Sequence, residues 1–267
     1  MLERRETAAP IHMATTLAKP RKQQEVATSF HLANNGKTKF RSNHYNTFGL
    51  NFGLPKNGGT CPGATSGPGG CLDVRTGCKR ETCYMAKIVQ IYKAVGTTLD
   101  NNTKMVVGQA YDEMVRVIRA SVQDFVDSNE EKDWYFRLHY SGDFFSADYA
   151  KAWAEVINEF PKVKFWVYTR SFHLVQYLVD CTNLTIMLSI DPVNKDKGLA
   201  IARLYEARPN IGLAWLGKEK PEGFRWVTCP ETSGILENTK ERGACAKCRL
   251  CIDRYKSKVK NIQFLIH

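Results

Sequence analysis

Apolar residues recur along the middle of this chain with two different periods. Between Lys104 and Asp127, the residues Val106, Ala110, Met114, Val117, Ile118, Val122 and Phe125 fall at the three- and four-residue intervals that line one face of a helix. Beyond them, short apolar runs alternate with helical stretches. Trp134 to His139, Lys164 to Thr169, Leu184 to Ile190, Ile211 to Leu216 and Phe224 to Val227 predict strands. Ala147 to Glu159, Phe172 to Val179 and Lys197 to Ala207 predict the intervening helices, and a further helix is expected around Met85 to Val95. The strands carry apolar residues on both faces and connect through short segments, as parallel βα units in a doubly covered sheet require. The expected fold class is therefore α/β, a complete or partial (β/α) TIM-type barrel.

The two ends of the chain depart from this pattern. Residues 1 to 36 carry Pro10, Pro20 and scattered charge with little periodicity, which predicts a flexible basic N-terminal arm. From Lys37 to Leu54 the aromatics Phe40, Tyr45, Phe48 and Phe52 are expected to form a covering layer on the core. The remaining residues, 37–267, suit a single barrel domain. No apolar run approaches the roughly 20 residues of a membrane span, and no signal-type stretch follows Met1-Leu2-Glu3-Arg4-Arg5. The expected location is cytoplasmic, where clustered cysteines serve metal or redox chemistry more often than disulfides.

The nine cysteines change the picture most. Cys245, Cys248 and Cys251 stand at three-residue spacing, and Cys229-Pro230 precedes them in a segment 229–251. Close spacing lets one loop aim several thiolates at adjacent corners of a cubane cluster while a remote cysteine supplies the fourth, so a [4Fe-4S] cluster is the leading expectation. Zinc is the alternative, since it also accepts four thiolates, although it more often takes two C-x2-C pairs. A second group, Cys61, Cys71, Cys78 and Cys83, lies in a loop over 58–84 rich in glycine and proline, the composition of a chain that wraps an ion or cluster. The helix after Cys83 would place its positive dipole end at that thiol. Cys181 stands alone and is expected to be a core thiol.

Ligands of parallel βα folds bind at the carboxyl ends of the strands. This rule nominates Arg137, His139, Ser141 and Asp143 after the first predicted strand, Tyr168 and Arg170 after the second, and Asp191 after the third. For His139 an ordinary hydrogen-bonded role weighs equally, and Asp143 could instead cap the helix at Ala147. The formal charge of +11 brings in a nucleic acid or an acidic host protein as partner. Much of it, however, lies in Arg4, Arg5, Lys19, Arg21, Lys22, Lys37, Lys39 and Arg41 and in Lys256, Lys258 and Lys260, where solvated tails explain it as well.

Over residues 37 to 255 the chain resembles the phage gene product 88 family. The resemblance is carried by Cys61-Pro62-Gly63-Ala64-Thr65, Cys78, Cys83-Tyr84, Arg137-Leu138-His139-Tyr140-Ser141-Gly142-Asp143-Phe144-Phe145, Tyr168-Thr169-Arg170 and Cys229-Pro230 with the closing cysteine run. In that pattern Cys71 falls in an inserted Gly-rich segment, which makes it the least secure of the candidate ligands. The cysteine–tyrosine loop ahead of a barrel also looks like the cluster-binding loop of radical S-adenosylmethionine enzymes, although its gaps are longer than C-x3-C-x2-C. This second resemblance implies a cluster with one open iron that chelates S-adenosylmethionine, with the strand-end residues lining a substrate pocket. The competing expectation is a non-catalytic phage iron–sulfur protein whose cluster has four ligands and no open iron. A structural zinc protein that binds nucleic acid or a host protein is the third.

Overall fold

A computed structural model of the chain describes residues 28–33, 45–73, 83–128, 134–238, 243–253 and 261–265. Its strands are β1 (Tyr45–Gly49), β2 (Trp134–Ser141), β3 (Val163–Thr169), β4 (Leu184–Ile190), β5 (Ile211–Leu216), β6 (Trp226–Thr228) and β7 (Asn261–Phe264). Its helices are α1 (Tyr84–Ile91), α2 (Lys93–Lys104), α3 (Tyr111–Asp127), α4 (Ala147–Glu159), α5 (Lys195–Leu204) and α6 (Ala244–Cys248). The strands form one sheet in the order β1-β2-β3-β4-β5-β7-β6, and every neighbouring pair is parallel. Closure into a barrel is not seen among the described residues, since β1 and β6 form the two edges of the sheet.

The period-two alternation of each strand sorts its side chains between two layers. Phe136, Leu138, Phe165, Val167, Ile186, Leu188 and Leu213 face the main core, which they share with α3, α4 and the 3-10 helix Phe172–Tyr177. Tyr135, Trp166, Met187, Ala214 and Ile262 point to the opposite face and meet the C-terminal segment there. Helices α3, α4 and α5 thus cover one side of the sheet, and the cysteine-rich segment 244–253, which contains α6, covers part of the other.

Several boundaries differ from the sequence reading for local reasons. Gly108, at φ 78, takes a left-handed conformation that a helix cannot continue through, so α3 begins at Tyr111 rather than near Lys104. The helix expected over Met85 to Val95 is divided at Tyr92, whose φ of −115 and ψ of 88 leave the helical region. Phe172 to Tyr177 winds as a 3-10 helix. Asp143 does not cap α4. Ser146 does, with its Oγ accepting the Tyr149 N–H at 3.1 Å.

The expected covering layer contains edge strand β1, which pairs with β2 and buries Phe48 completely. Part of the expected arm packs as well: Phe30 stacks on Phe48 with centroids 4.3 Å apart, and its N–H donates to Ser121 Oγ at 2.8 Å. The other arm residues, 1–27 and 34–36, lie outside the described residues, as do the basic residues Lys37, Lys39, Arg41, Lys256, Lys258 and Lys260. Strand β7, which the hydropathy pattern did not reveal, inserts between β5 and β6. Among the described residues no helix is long and apolar enough to cross a membrane.

Candidate metal centre

The C-terminal cysteines assemble on the face of the sheet opposite the helices. Cys229 directly follows β6, and its N–H donates to the Gln263 carbonyl at 2.7 Å, so pairing with β7 fixes its position. Asn238 Oδ1 accepts the Ala244 N–H at 2.9 Å at the start of α6, which carries Cys245 and Cys248 one turn apart. Arg249 then adopts a left-handed conformation, φ 56, that reverses the chain toward Cys251. Thr185 Oγ1 on β4 donates to the Ile252 carbonyl at 3.0 Å and ties this turn to the sheet.

As a result, Cys229, Cys245, Cys248 and Cys251 line one cavity whose floor includes Trp166 and Tyr168. Burial pushes the Cys251 thiol up to about 12; the hydrogen bond from Tyr168 opposes this, and the charges of Cys245, Cys229 and Cys248 add to it. Burial also raises Cys248, against a hydrogen bond from the Leu250 N–H. Among the described residues, no three His, Cys, Asp or Glu side chains converge as a ready-made chelate for a single ion. The four thiols are neighbours around a shared cavity, and soft thiolate donors of this kind suit iron–sulfur clusters and zinc.

The first cysteine group is set by a loop docked on the carboxyl ends of β2, β3 and β4. Thr60 Oγ1 donates to the Asn51 carbonyl at 2.7 Å. Gly63 lies so close to Arg170 that a Cβ there would come within 2.2 Å of the Arg170 carbonyl oxygen, which explains the glycine in Cys61-Pro62-Gly63. Thr65 Oγ1 donates to Asp191 Oδ2 at 2.7 Å, and Arg170 Nη1 donates to the same carboxylate oxygen. Cys71 is held in turn, donating its N–H to Thr65 Oγ1 at 3.0 Å and accepting the Thr65 N–H on its sulfur at 3.3 Å. Cys83 is the N-cap of α1, as the sequence suggested. Cys61 is raised by burial, with Asp143, Cys83 and Cys71 adding to the rise, so these three thiols are electrostatic neighbours. Cys78 lies outside the described residues.

The strand-end candidates separate into distinct roles. Asp143 is buried, and its carboxylate accepts from Thr169 Oγ1 and the Arg170 N–H, both at 2.7 Å, and from the Phe144 N–H at 2.8 Å. Burial raises its pKa against these bonds, and the group braces the turn after β3. Ser141 Oγ donates to the Leu50 carbonyl at 2.8 Å. Arg137 and Tyr168 point to the open face, with the guanidinium carbon 5.2 Å from the Tyr168 ring centroid. Thr60 and Thr65, the hydroxyls that seat the loop, were not nominated individually by the strand-end rule. The one signal for Thr65 was its place in the Cys61-to-Thr65 motif. Cys181 is buried in the helix-covered core, as expected.

His139 does not join either cysteine group. A register shift against β1 between Thr47 and Gly49, together with its own left-handed φ of 57, turns the ring into the core. There it meets Phe144 and Phe48 edge-on, and Nε2 lies 3.0 Å from the Tyr149 hydroxyl. Burial, with the Arg137 charge adding, lowers its pKa to about 3. Between that value and the ordinary one near 6.5, the unfolded chain binds a proton that the folded chain refuses. Stability is therefore expected to fall as pH drops through this window, by about 1.4 kcal/mol per unit. Urea titrations of wild type and His139→Asn at pH 7, 6 and 5 check this, because asparagine tolerates the left-handed backbone and does not titrate. Equal pH slopes in the two proteins would refute it.

The comparisons with known proteins converge on one family. The chain is 35% identical over 207 residues to the Gene 88 protein of Mycobacterium phage D29, covering 73% of this chain and 83% of that protein. It is 33% identical over 201 residues to the Gene 88 protein of Mycobacterium phage L5, covering 72% and 82% respectively. No solved structure matches it. The gene product 88 family matches residues 14–254, a span that contains both cysteine groups and the loop that docks on Arg170 and Asp191. The chain belongs to the phage gene product 88 family.

Proposed function

We propose that this protein binds a [4Fe-4S] cluster through Cys229, Cys245, Cys248 and Cys251. The observation that carries the reading is that all four side chains line one cavity, although they come from a strand end, a short helix and a turn. The spacing C-x2-C-x2-C with a remote Cys-Pro matches the ligand order of cubane sites. With four protein ligands no iron is left open, so such a centre supplies one-electron transfer or holds the segment on the sheet. The chain's own part is to exclude water with Trp166 and Tyr168 and to donate hydrogen bonds to sulfur from Tyr168 and the Leu250 amide. In this reading the open sheet is a partial (β/α) barrel whose inner face carries the centre. Cys61, Cys71 and Cys83, with Cys78 as the sequence suggests, form a second centre, because none of the described three belongs to the walls of the C-terminal cavity.

The test is iron, acid-labile sulfide and zinc per chain on protein purified without oxygen, for wild type, Cys245→Ser and Cys83→Ser. About eight irons in wild type, falling to about four in each variant, is the expected result. Loss of all iron in either variant would mean one shared centre. Zinc without sulfide would sink the iron–sulfur reading.

A further inference from the structure

The turn between Cys248 and Cys251 carries an arginine where the backbone favours glycine. Arg249 caps α6, with its N–H donating to the Cys245 carbonyl at 3.0 Å. Its φ of 56 lies in the left-handed region where helices commonly end on glycine or, less often, asparagine. Its own carbonyl then accepts the Ile252 and Asp253 amides, both at 2.9 Å. One residue therefore joins the helix of Cys245 and Cys248 to the turn of Cys251. Nothing in that backbone geometry requires a long cationic side chain.

The side chain instead holds the turn against the sheet. Its guanidinium carbon lies 4.9 Å from the centroid of the Tyr135 ring on β2, Nη1 lies 3.8 Å from Asp253 Oδ2, and Nε donates to the Ala246 carbonyl at 3.3 Å. Lys164 on β3 grips the same ring and carboxylate. Its Nζ is 3.5 Å from Asp253 Oδ1 and 4.9 Å from the Tyr135 centroid, and it donates to the Tyr135 hydroxyl at 3.3 Å. Tyr135 is buried and packs with Ala246 and Ile252, which flank Arg249 in sequence. Two cations thus meet one aromatic ring, an attraction that strengthens as water is excluded. Each contact is modest by itself, since both cations keep about a third of their surface exposed, but all of them act where the Cys248-to-Cys251 turn is set.

We propose that Arg249 is a positioning residue of the C-terminal cysteine centre: its clasp on Tyr135 and Asp253 fixes the left-handed turn, so that Cys251 stands beside Cys245 and Cys248 before any cluster arrives. A site whose ligands are already held in place binds more tightly than one that must be ordered on loading. The placing of the thiols rests on the geometry of the turn, and its use in holding a cluster rests on the reading above. Arg249 supplies no ligand and acts only through the thiols it places.

Two variants separate the side chain from the backbone: Arg249→Asn tolerates the left-handed conformation and removes the cation, whereas Arg249→Lys keeps the cation. The first probe is phenylarsine oxide on the reduced, metal-free protein. Its trivalent arsenic bridges two thiols that stand within reach, releasing water with no change of oxidation state, and mass spectrometry of the adduct locates the bridge within 245–251. The Asn variant is expected to bind the probe there about tenfold more weakly, and the Lys variant to stay nearer wild type. The second probe is the loss of iron and sulfide to a chelator from protein loaded without oxygen, expected to be about tenfold faster in the Asn variant. Urea denaturation accompanies both, because a purely structural role would lower stability and leave the arsenical affinity of the folded protein unchanged. Equal arsenical affinity in Asn and wild type, an unchanged rate of iron loss from loaded protein, or a Lys variant that loses as much as Asn overturns the proposal. Wild type that takes up no iron and sulfide, with the arsenical difference intact, sinks the cluster reading and leaves the positioning role standing.

Discussion

Asp191→Ala is expected to cost about 3–5 kcal/mol of folding stability, because it leaves a largely buried guanidinium without its counterion. The Asp191 side chain is 0% exposed and that of Arg170 11%. The carboxylate also accepts the Val193 N–H at 2.9 Å, the Asn194 N–H at 3.1 Å and the Thr65 hydroxyl at 2.7 Å. One side chain therefore organises the turn after β4, the Arg170 fork and the loop that carries Cys61 and Cys71. Chemical denaturation measures the loss, and hydrogen exchange at the Thr65 and Cys71 amides reports whether the loop has lifted from the sheet. The double variant Asp191→Ala/Arg170→Met should lose less than the sum of the two single variants, since the orphaned charge is what makes the single change expensive. A loss below about 1 kcal/mol in Asp191→Ala would show that the pair is not the anchor.

Trp153→Ala is expected to cost a similar amount, about 3–5 kcal/mol, by a different mechanism, the cavity left in a close-packed core. Trp153 is fully buried on α4 and stacks on Phe48 of β1, with centroids 5.4 Å apart and planes at 17°. Phe30 stacks on the far side of Phe48, so three rings join α4, the edge strand and residue 30. Losing the indole that backs Phe48 should loosen β1 and residues 28–33 together, visible as faster hydrogen exchange of the Phe30 and Thr47 amides. Because the C-terminal cavity lies on the opposite face of the sheet, the cluster proposed there predicts that the iron content of the protein that remains folded matches wild type. A stability loss under about 1 kcal/mol, or a parallel loss of iron, would contradict this separation of the faces.

The candidate site was partly legible because its chemistry lies in residue type and spacing. Cys245, Cys248 and Cys251 are near neighbours in sequence, so any compact turn keeps them together, and the structure places Cys229 beside them. The strand-end rule placed Asp191, Arg170 and Asp143 in one region, yet these residues brace the loop through hydrogen bonds to one another and to Thr65 and Thr169. Spacing alone could not separate bracing from exposure on the open face, since both place polar residues just past a strand. His139 takes the ordinary hydrogen-bonded role that weighed equally for it, and the reason is local. The shift in register against β1, with its left-handed backbone, turns its side chain away from the face that simple alternation would assign.

The sequence by itself determined the succession of βα units, including the bounds of α4, β4 and β5, because apolar period and capping residues are local signals that survive in isolation. It also determined the thiol set, because spacing within a turn is a local property. Only the tertiary structure decided that β1 forms an edge and that β7 enters between β5 and β6, that the C-terminal cysteines lie on the face opposite the main helical layer, and that Arg137 lies over the Tyr168 ring. Strands as short as β6 and β7 carry too few residues for a periodic signal. Their places are set by which distant surfaces they bury and which backbone groups they satisfy, and those terms exist only once the chain has folded.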